Sequence, residues 1–363
     1  MKKNDAKYIA VAKTLKNEIL GGKYESHVRF PSEGALVRRF GVSRPTVERA
    51  LRELKLEGLL ESKAGSGSYL TFTARNATGA IGIIAPDYKK IDFFTRLCDA
   101  IASEMRKCGY NVLLGDVSAP EAAADRGKWA IRLAEAYAEQ RVAGVLLEPV
   151  DLALDSCEAT RKILSILAAK NIPVTLLDRD YLPMPQRSRY DLIGIDNFQA
   201  GYRLAQHLLE KGAKRICFAT HPNYANTIRA RIHGVAQAAM DAGCAFCKRS
   251  IIETDPGDIA AYRKLMRGKN APDAFVCRND NTAARLIQTM SSLGISIPGK
   301  VRIAGFDDGE IARLVNPPLT TMHQPVRTLA KISAAALIER IRRPSLAPRA
   351  ILLNAELVAR AST

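Results

Sequence analysis

The sequence predicts a mixed α/β protein in which an N-terminal winged helix-turn-helix precedes a two-lobed domain built on doubly wound parallel sheets. Three observations predict it. Residues 30–69 place a helix, a tight break, a second amphipathic helix and two short alternating segments in succession. From residue 81 onward, apolar strand-like runs alternate with helical stretches, the pattern of βαβ units and hence of a parallel sheet covered on both faces. That alternation occurs twice, interrupted by a loop containing Pro183 and Pro185.

In the N-terminal segment, Pro31 suits the approach to a helix, and the Ser32 side chain can accept an orphan backbone N–H. Leu36, Val37 and Phe40 then form an apolar stripe. Gly41-Val42-Ser43 is the break: glycine permits the reversal and serine can cap the next helix. In that second helix Val47, Ala50, Leu51 and Leu54 recur at i, i+3, i+4 and i+7, which leaves Arg44, Glu48, Arg49 and Arg52 facing outward. Arginine is suited to bidentate contact with guanine and to phosphate oxygens, so this is a candidate recognition helix. Segments 59–63 and 68–72 alternate like strands around Ala64-Gly65-Ser66-Gly67, a hairpin with a basic tip. The competing reading is a small solvated helical hairpin; turn, cap, periodicity and wing agree against it.

With these residues in place, the segment resembles the winged helix of the GntR family of bacterial regulators, with 8–20 as its first helix. The resemblance implies DNA contacts from Ser32, Ser43, Arg44, Thr46, Lys63 and Gly65, beside the outward Arg49 and Arg52. Gly34 stands where that family often has Arg, and Glu48 where it often has Arg or Gln. Glu48 either accepts from a cytosine amino group or pairs with Arg44 or Arg52 along the helix.

The chain of 363 residues, 47% of them apolar, is long enough for two or three cores and excludes a disordered polypeptide. A net charge of +17 favours an anionic partner. Residues 1–75 carry 15 Lys and Arg against 8 Asp and Glu, so basic charge is denser at the head. Lys7, Lys13 and Lys16 interrupt any signal-peptide-like run, and no apolar segment is long enough to span a membrane. These features predict a cytoplasmic location, with no membrane partner and with seven reduced cysteines.

Residues 71–80, rich in small polar side chains, read as a linker after a head of 1–70. Strand-like runs follow at 81–85, 111–115, 143–148 and 173–178, with helices near 93–108, 122–140 and 158–170. A second series places strands near 191–195, 214–220, 249–252, 273–277 and 301–306, and helices near 198–211, 227–242, 258–267 and 280–293. Two such sheets imply two lobes, and ligands of doubly wound sheets bind beyond the carboxyl ends of the strands. Polar residues collect there: Asp87, Asp178-Arg179, Asn279-Asp280 and Asp307-Asp308. Carboxylates with Arg and Asn are what recognition of a polyol needs, and Phe93 and Phe94 supply an apolar wall. The alternative for each Asp or Asn is a helix cap or loop residue.

The region from 81 to the C-terminus resembles the effector-binding domain of the LacI/GalR repressors, itself similar to periplasmic sugar-binding proteins. The markers are IGIIAP (81–86), IPVTLLDRD (172–180), IGIDNFQAGYRLAQHLLEKGAKRI (193–216), ARIHGV (230–235), VRIAGFDDGEIA (301–312) and PPLTTMHQPV (317–326). The resemblance implies ligand contacts from Asp178, Arg231, Asn279 and Asp307, with Arg179 and Phe94. It also implies three crossings between lobes, with lobe 1 at about 81–190 and 326–345 and lobe 2 at about 191–322 and 349–363. A helix at 326–343 then returns to the first lobe, and a last strand at 350–354 joins the second. The usual LacI head and hinge helix are replaced by the winged helix and the 71–80 linker. This combination is similar to the arabinose-type repressors.

Other chemistry has little support. Cys244 and Cys247 have metal-ligand spacing but no second pair, and they follow a helix rather than open one. Hydrolase motifs are absent, and the sequence implies no cofactor. The reading is therefore a dimeric, effector-responsive regulator, most simply a repressor, binding operator double-stranded DNA and a sugar or similar metabolite. Two rivals remain: a sugar-modifying enzyme on the same scaffold, and an architectural protein that binds DNA non-specifically.

Overall fold

The structure, a computed structural model, describes residues 3–20, 24, 30–56, 59–63, 67–70, 79–86, 88, 91–115, 123–150, 157–222 and 224–363. The head comprises α1 (Lys3–Leu20), α2 (Glu33–Phe40), α3 (Arg44–Leu56) and an antiparallel hairpin of β1 (Leu60–Lys63) and β2 (Gly67–Leu70). Helix α1 begins five residues before the expected start. Leu15 and Ile19 meet Leu36, Val47, Leu51, Leu54 and Leu59 in one small core, so the apolar periodicity of both later helices is satisfied inward. Gly41 takes φ of 61° and donates its N–H to the Val37 carbonyl, which ends α2 and turns the chain into α3.

The first sheet of the body takes β3 (Ala80–Ile84), β4 (Asn111–Leu113), β5 (Gly144–Leu147), β6 (Val174–Leu177) and β7 (Asp191–Ile195), with α4 (Asp92–Lys107), α5 (Ala123–Glu139) and α6 (Glu158–Ala169) between them. Every residue of β3, β5, β6 and β7 is buried, which is why these strands read as continuous apolar runs rather than as alternation. The second region runs α7 (Asn197–Glu210), β8 (Ile216–Ala219), α8 (Asn226–Asp241), β9 (Ile251–Ile252), α9 (Ile259–Arg267), β10 (Ala274–Cys277), α10 (Asp280–Ser292), β11 (Arg302–Asp307), α11 (Ile311–Leu314) and β12 (Thr320–His323). The chain closes with α12 (Val326–Arg342), β13 (Ala350–Leu353) and β14 (Glu356–Val358). The strand orders are β4-β3-β5-β6-β7-β13 and β9-β8-β10-β11-β12-β14. All pairings in the body are parallel except that of β12 with β14.

Two strand placements correct the sequence reading. The strand at 191–195, expected to open the second lobe, lies in the first sheet, and so does the strand at 350–353, expected in the second. The physical reason is an ionic knot. Asp191, almost fully buried, accepts from Arg340 Nε at 3.0 Å and Nη2 at 2.9 Å, and from the Arg349 backbone N–H at 2.8 Å. Those bonds tie the end of α12 and the start of β13 to β7. Strands β12 and β14 were not expected at all; each is only three or four residues long.

The chain crosses between the sheets at 195–197, 323–326 and 353–356. The first and third crossings touch, since Asp196 N–H donates to the Leu353 carbonyl at 2.9 Å, and Asp196 also caps α7 through the Gln199 N–H. Helices α7 and α8 approach closely through two glycines. A Cβ on Gly201 would stand 2.2 Å from the Arg231 carbonyl oxygen, and one on Gly234 would stand 2.0 Å from that of Phe198.

Candidate functional site

The carboxyl ends of β6 and β11 open on one cavity at the crossings, and each carries an aspartate with positive φ, Asp178 just after β6 and Asp307 at the end of β11. Asp178 has φ of 68° and Asp307 has φ of 107°, a region that non-glycine residues enter at a cost of roughly 1–3 kcal/mol. Both line a cavity of about 360 Å³. Phe93 and Phe94, from the first turn of α4, form one wall with ring centroids 5.1 Å apart in an edge-on arrangement. Arg179, Arg231 and Asn279 complete the expected residues that line it. Asp87 lies outside the described residues.

Each of these side chains is held from behind. Arg179 donates to Glu148 at 3.0 Å, to the Pro149 carbonyl at 2.6 Å and to Asp178 at 3.2 Å, so its charge is largely neutralised in place. Arg231 projects from α8, only 4% exposed; its Nε donates to Asn197 Oδ1 at 2.8 Å and its Nη1 to the Arg278 carbonyl at 2.7 Å, while its plane stacks 4.1 Å over the Phe306 ring. Its Nη2 has no hydrogen-bond partner among the described residues. Asn279 both caps α10, through the Thr282 N–H at 3.0 Å, and lines the cavity, so the structural and cleft readings hold together. Asp280 instead turns behind the strands, accepting from Thr321 Oγ1 at 2.6 Å and Gly309 N–H at 2.9 Å. Asp308 faces away, binding His323 at 3.1 Å and Arg360 at 2.5 Å.

The sequence reading missed Gln324, which sits in the second crossing. It is 2% exposed and donates to Asp307 Oδ1 at 2.7 Å, while its own Oε1 is buried without a partner among the described residues. An unpaired buried acceptor costs roughly 1–3 kcal/mol, which a ligand hydroxyl would relieve. Tyr224, His221, Arg126, Arg278 and Arg285 also line the cavity. Arg278 directly precedes Asn279, so the strand-end logic reached its neighbour; nothing local marked the others.

Burial raises the Asp307 carboxyl to about 6, with Asp178 adding to the rise and Arg231, Gln324 and Arg96 opposing it. Burial also raises Asp280, with Asp307 and Asp308 adding to it, and lowers the Arg231 guanidinium. Between about pH 4 and pH 6 the folded chain therefore holds a proton at Asp307 that the unfolded chain releases, so this group's contribution to stability falls as pH rises through that window. Asp307→Asn removes the titration. Its thermal midpoint relative to the wild type is expected to improve between about pH 4 and about pH 7, by the equivalent of about 2 kcal/mol.

In the head, Arg44, Glu48, Arg49 and Arg52 are all exposed on α3, as the periodicity requires. Arg44 contacts Glu33 at 3.0 Å and Glu48 at 3.2 Å, which selects the pairing reading of Glu48 in this state. Arg49 stacks 3.9 Å over the Tyr8 ring of α1. Ser32 caps α2 through the Ala35 N–H at 3.3 Å. Thr46 departs from the expectation of an outward contact: it is buried, and its hydroxyl bonds the Ser43 hydroxyl at 2.8 Å, closing the first turn of α3. The Lys63 side chain and Gly65 lie outside the described residues.

A winged helix presenting arginines, joined to two parallel sheets that close a polar cleft at their strand ends, defines a ligand-responsive, DNA-binding transcriptional regulator. Residues 7–70 match the model of bacterial regulatory proteins of the gntR family, and residues 205–363 match that of the periplasmic binding protein-like domain. The chain belongs to the bacterial transcriptional regulators that carry a GntR-type head on a LacI-type, periplasmic-binding-protein-like effector domain. It is 26% identical to the arabinose metabolism transcriptional repressor of Geobacillus stearothermophilus, covering 98% of this chain and 97% of that one. Identity to the HTH-type transcriptional repressor PurR of Vibrio atlanticus is 30%, over 79% of this chain and 82% of the relative. Among solved structures, the transcriptional regulator CelR in complex with cellobiose aligns with a TM-score of 0.67 at 20% identity over 98% of both chains. A LacI-family regulator from Enterococcus faecium with bound ribose aligns with a TM-score of 0.63 at 24% identity, over 78% of this chain and 98% of that one.

Proposed function

We propose that the chain is a cytoplasmic repressor whose two-lobed domain binds a sugar or similar polyhydroxylated metabolite and whose head, as part of a homodimer, binds a palindromic operator. The observation that carries the reading is the convergence of Asp178, Arg231, Asp307 and the unsatisfied Gln324 carbonyl on one cavity at the lobe crossings. Carboxylates accept from paired hydroxyls, and a guanidinium nitrogen donates to ring or hydroxyl oxygens. The sugars bound by the similar structures and the arabinose role of the full-length relative favour this class of ligand. Among the described residues no helix is long and apolar enough to cross a membrane.

Gln324 links the cleft to the crossings, so closing the lobes on a ligand moves the segment that leads into α12. In a dimer this alters the separation of two heads fitted to half-sites, a coupling of roughly 1–3 kcal/mol. Operator affinity measured by fluorescence anisotropy, with and without ligands selected by thermal-shift screening, tests it directly. A tenfold or larger change with at least one ligand, about 1.4 kcal/mol, is expected; constant affinity with every binding ligand removes the switch. Arg44→Ala should weaken specific operator binding by roughly 1–3 kcal/mol if it reads a base, and by a similar factor on every sequence if it only touches phosphate. Turnover of a bound sugar, lost in Asp307→Ala, would instead favour an enzyme.

A further inference from the structure

The two lobes touch beside the cavity as well as joining at the crossings. Asn226, at the start of α8 in the second lobe, is 8% exposed; its Nδ2 donates to the Leu182 carbonyl at 2.6 Å and, more weakly, to the Asp180 carbonyl at 3.4 Å. Both carbonyls belong to the first lobe, in the segment between β6 and β7. From α4 of the first lobe, Arg96 Nη2 donates to the Asp307 carbonyl at the end of β11, at 3.1 Å. A Cβ on Gly309 would stand 3.2 Å from Asp92 Oδ2, so the first turn of α4 lies directly over the loop after β11.

The first-lobe acceptors are set in advance. Asp180 folds its own loop by accepting from the Leu182 N–H at 3.0 Å and the Ser188 N–H at 2.8 Å, and the carbonyls of 180 and 182 are left to meet α8. Arg96 is steered by Asp92 one turn earlier, at 2.8 Å. Both bridges are modest by construction. Asn226 Oδ1 is buried with no partner among the described residues, so the amide gives up water at one end to bond at the other. Arg96 ends on a neutral carbonyl with 36% of its side chain exposed. Each group regains water when the lobes part, which suits contacts that must break to admit a ligand. The neighbours of each donor line the cavity, Ala225 and Thr227 beside Asn226 and Phe93 and Phe94 within a turn of Arg96, while the two donors themselves stand outside the described lining.

We propose that Asn226 and Arg96 are positioning residues that latch the lobes shut at two points beside the cavity, and so set how readily the cleft opens without touching the effector. This rests on the lobes closing around an effector, and it adds which side chains hold them closed.

The distance between the lobes, measured by pulsed electron spin resonance on the full chain, decides it. One label replaces Lys162 or Lys170 in the first lobe and the other replaces Lys264 in the second, all three exposed. The labels are attached through unnatural amino acids, which leaves the seven native cysteines untouched, and the labelled chain is diluted with unlabelled chain so that only pairs within one chain report. Without ligand, the wild type should give one dominant distance. Asn226→Ala and Arg96→Ala should each raise the ratio of open to closed lobes roughly tenfold, and the double variant should raise it further. Arg96→Lys keeps a donor and should restore the closed distance, which a loss of local packing would not predict; the half-exposed position of Arg96 makes misfolding a poor explanation. Identical distance distributions in the wild type and the double variant would overturn the latch. Arabinose and ribose are then added as probes. A sugar that binds should return the variants to the wild-type distance and leave the double variant at least tenfold faster in stopped flow; equal dissociation rates would also overturn the latch. If neither sugar binds, the distances alone decide. An open double variant, with a wild type whose operator affinity ignores every ligand, would leave the latch standing and remove the switch.

Discussion

Replacing Arg231 by alanine is expected to abolish the effector response while the head still binds operator DNA. The guanidinium joins three parts of the second lobe: Asn197 at the start of α7, the carbonyl of Arg278 after β10, and the Phe306 ring on β11. Its loss leaves a buried amide oxygen and a buried carbonyl without donors, at roughly 1–3 kcal/mol each. It also takes away the charge that most opposes the rise of Asp307, whose carboxyl then moves further from the usual range. Effector affinity should fall by about a hundredfold or more, and global stability by about 2–4 kcal/mol. Arg231→Lys keeps a charge but has a single point donor and no planar fork, so it should not satisfy both Asn197 and the Arg278 carbonyl. Calorimetry on both variants, beside anisotropy on the operator, checks the split; unchanged effector affinity in Arg231→Ala would take this residue out of the site.

Gly234→Ala is expected to be the most destabilising small substitution in the body. The new methyl would meet the Phe198 carbonyl oxygen at 2.0 Å and the Tyr202 nitrogen at 2.7 Å, and both are backbone atoms that move only if α7 and α8 separate. Overpacking of this kind costs about 1–3 kcal/mol in a side-chain core, and rigid backbone on the opposing face puts this case at or above the upper end. Separation of the helices also pulls Arg231 on α8 away from Asn197 on α7, which stand 2.8 Å apart. Chemical unfolding and effector titration should therefore both respond. A stability change below about 0.5 kcal/mol would mean that the crossing is looser than its geometry implies.

Legibility followed how local each signal is. The recognition helix could be read because the apolar spacing of Val47, Ala50, Leu51 and Leu54 and the Gly41 reversal lie within a few residues of one another. Strands β3, β5 and β6 were legible as apolar runs because both faces of a parallel sheet are covered. That Asp178, Asn279 and Asp307 would line a cavity was legible because a doubly wound sheet opens its crevice at the strand ends. The side of the helix that Thr46 takes was not legible, because a hydroxyl at the start of a helix serves equally as an internal cap or an outward donor; in the structure it meets Ser43. Gln324 was invisible because its role depends on Asp307, 17 residues away, across a strand and a crossing.

By itself, the sequence determined the order of the parts: a winged helix, then two series of β and α elements, with arginines outward on one helix and polar residues at the strand ends. Those features are written in periodicity, turn chemistry and capping, all of which act over a few residues. The tertiary structure alone decided that β7 and β13 belong to the first sheet, through Asp191 and the arginines at 340 and 349, and that Gln324 completes the cleft. It also brought Arg126, Arg278 and Arg285 to the same cavity. Strand partners and convergent charges depend on contacts between distant residues, and a local pattern carries no record of which distant residue it will meet.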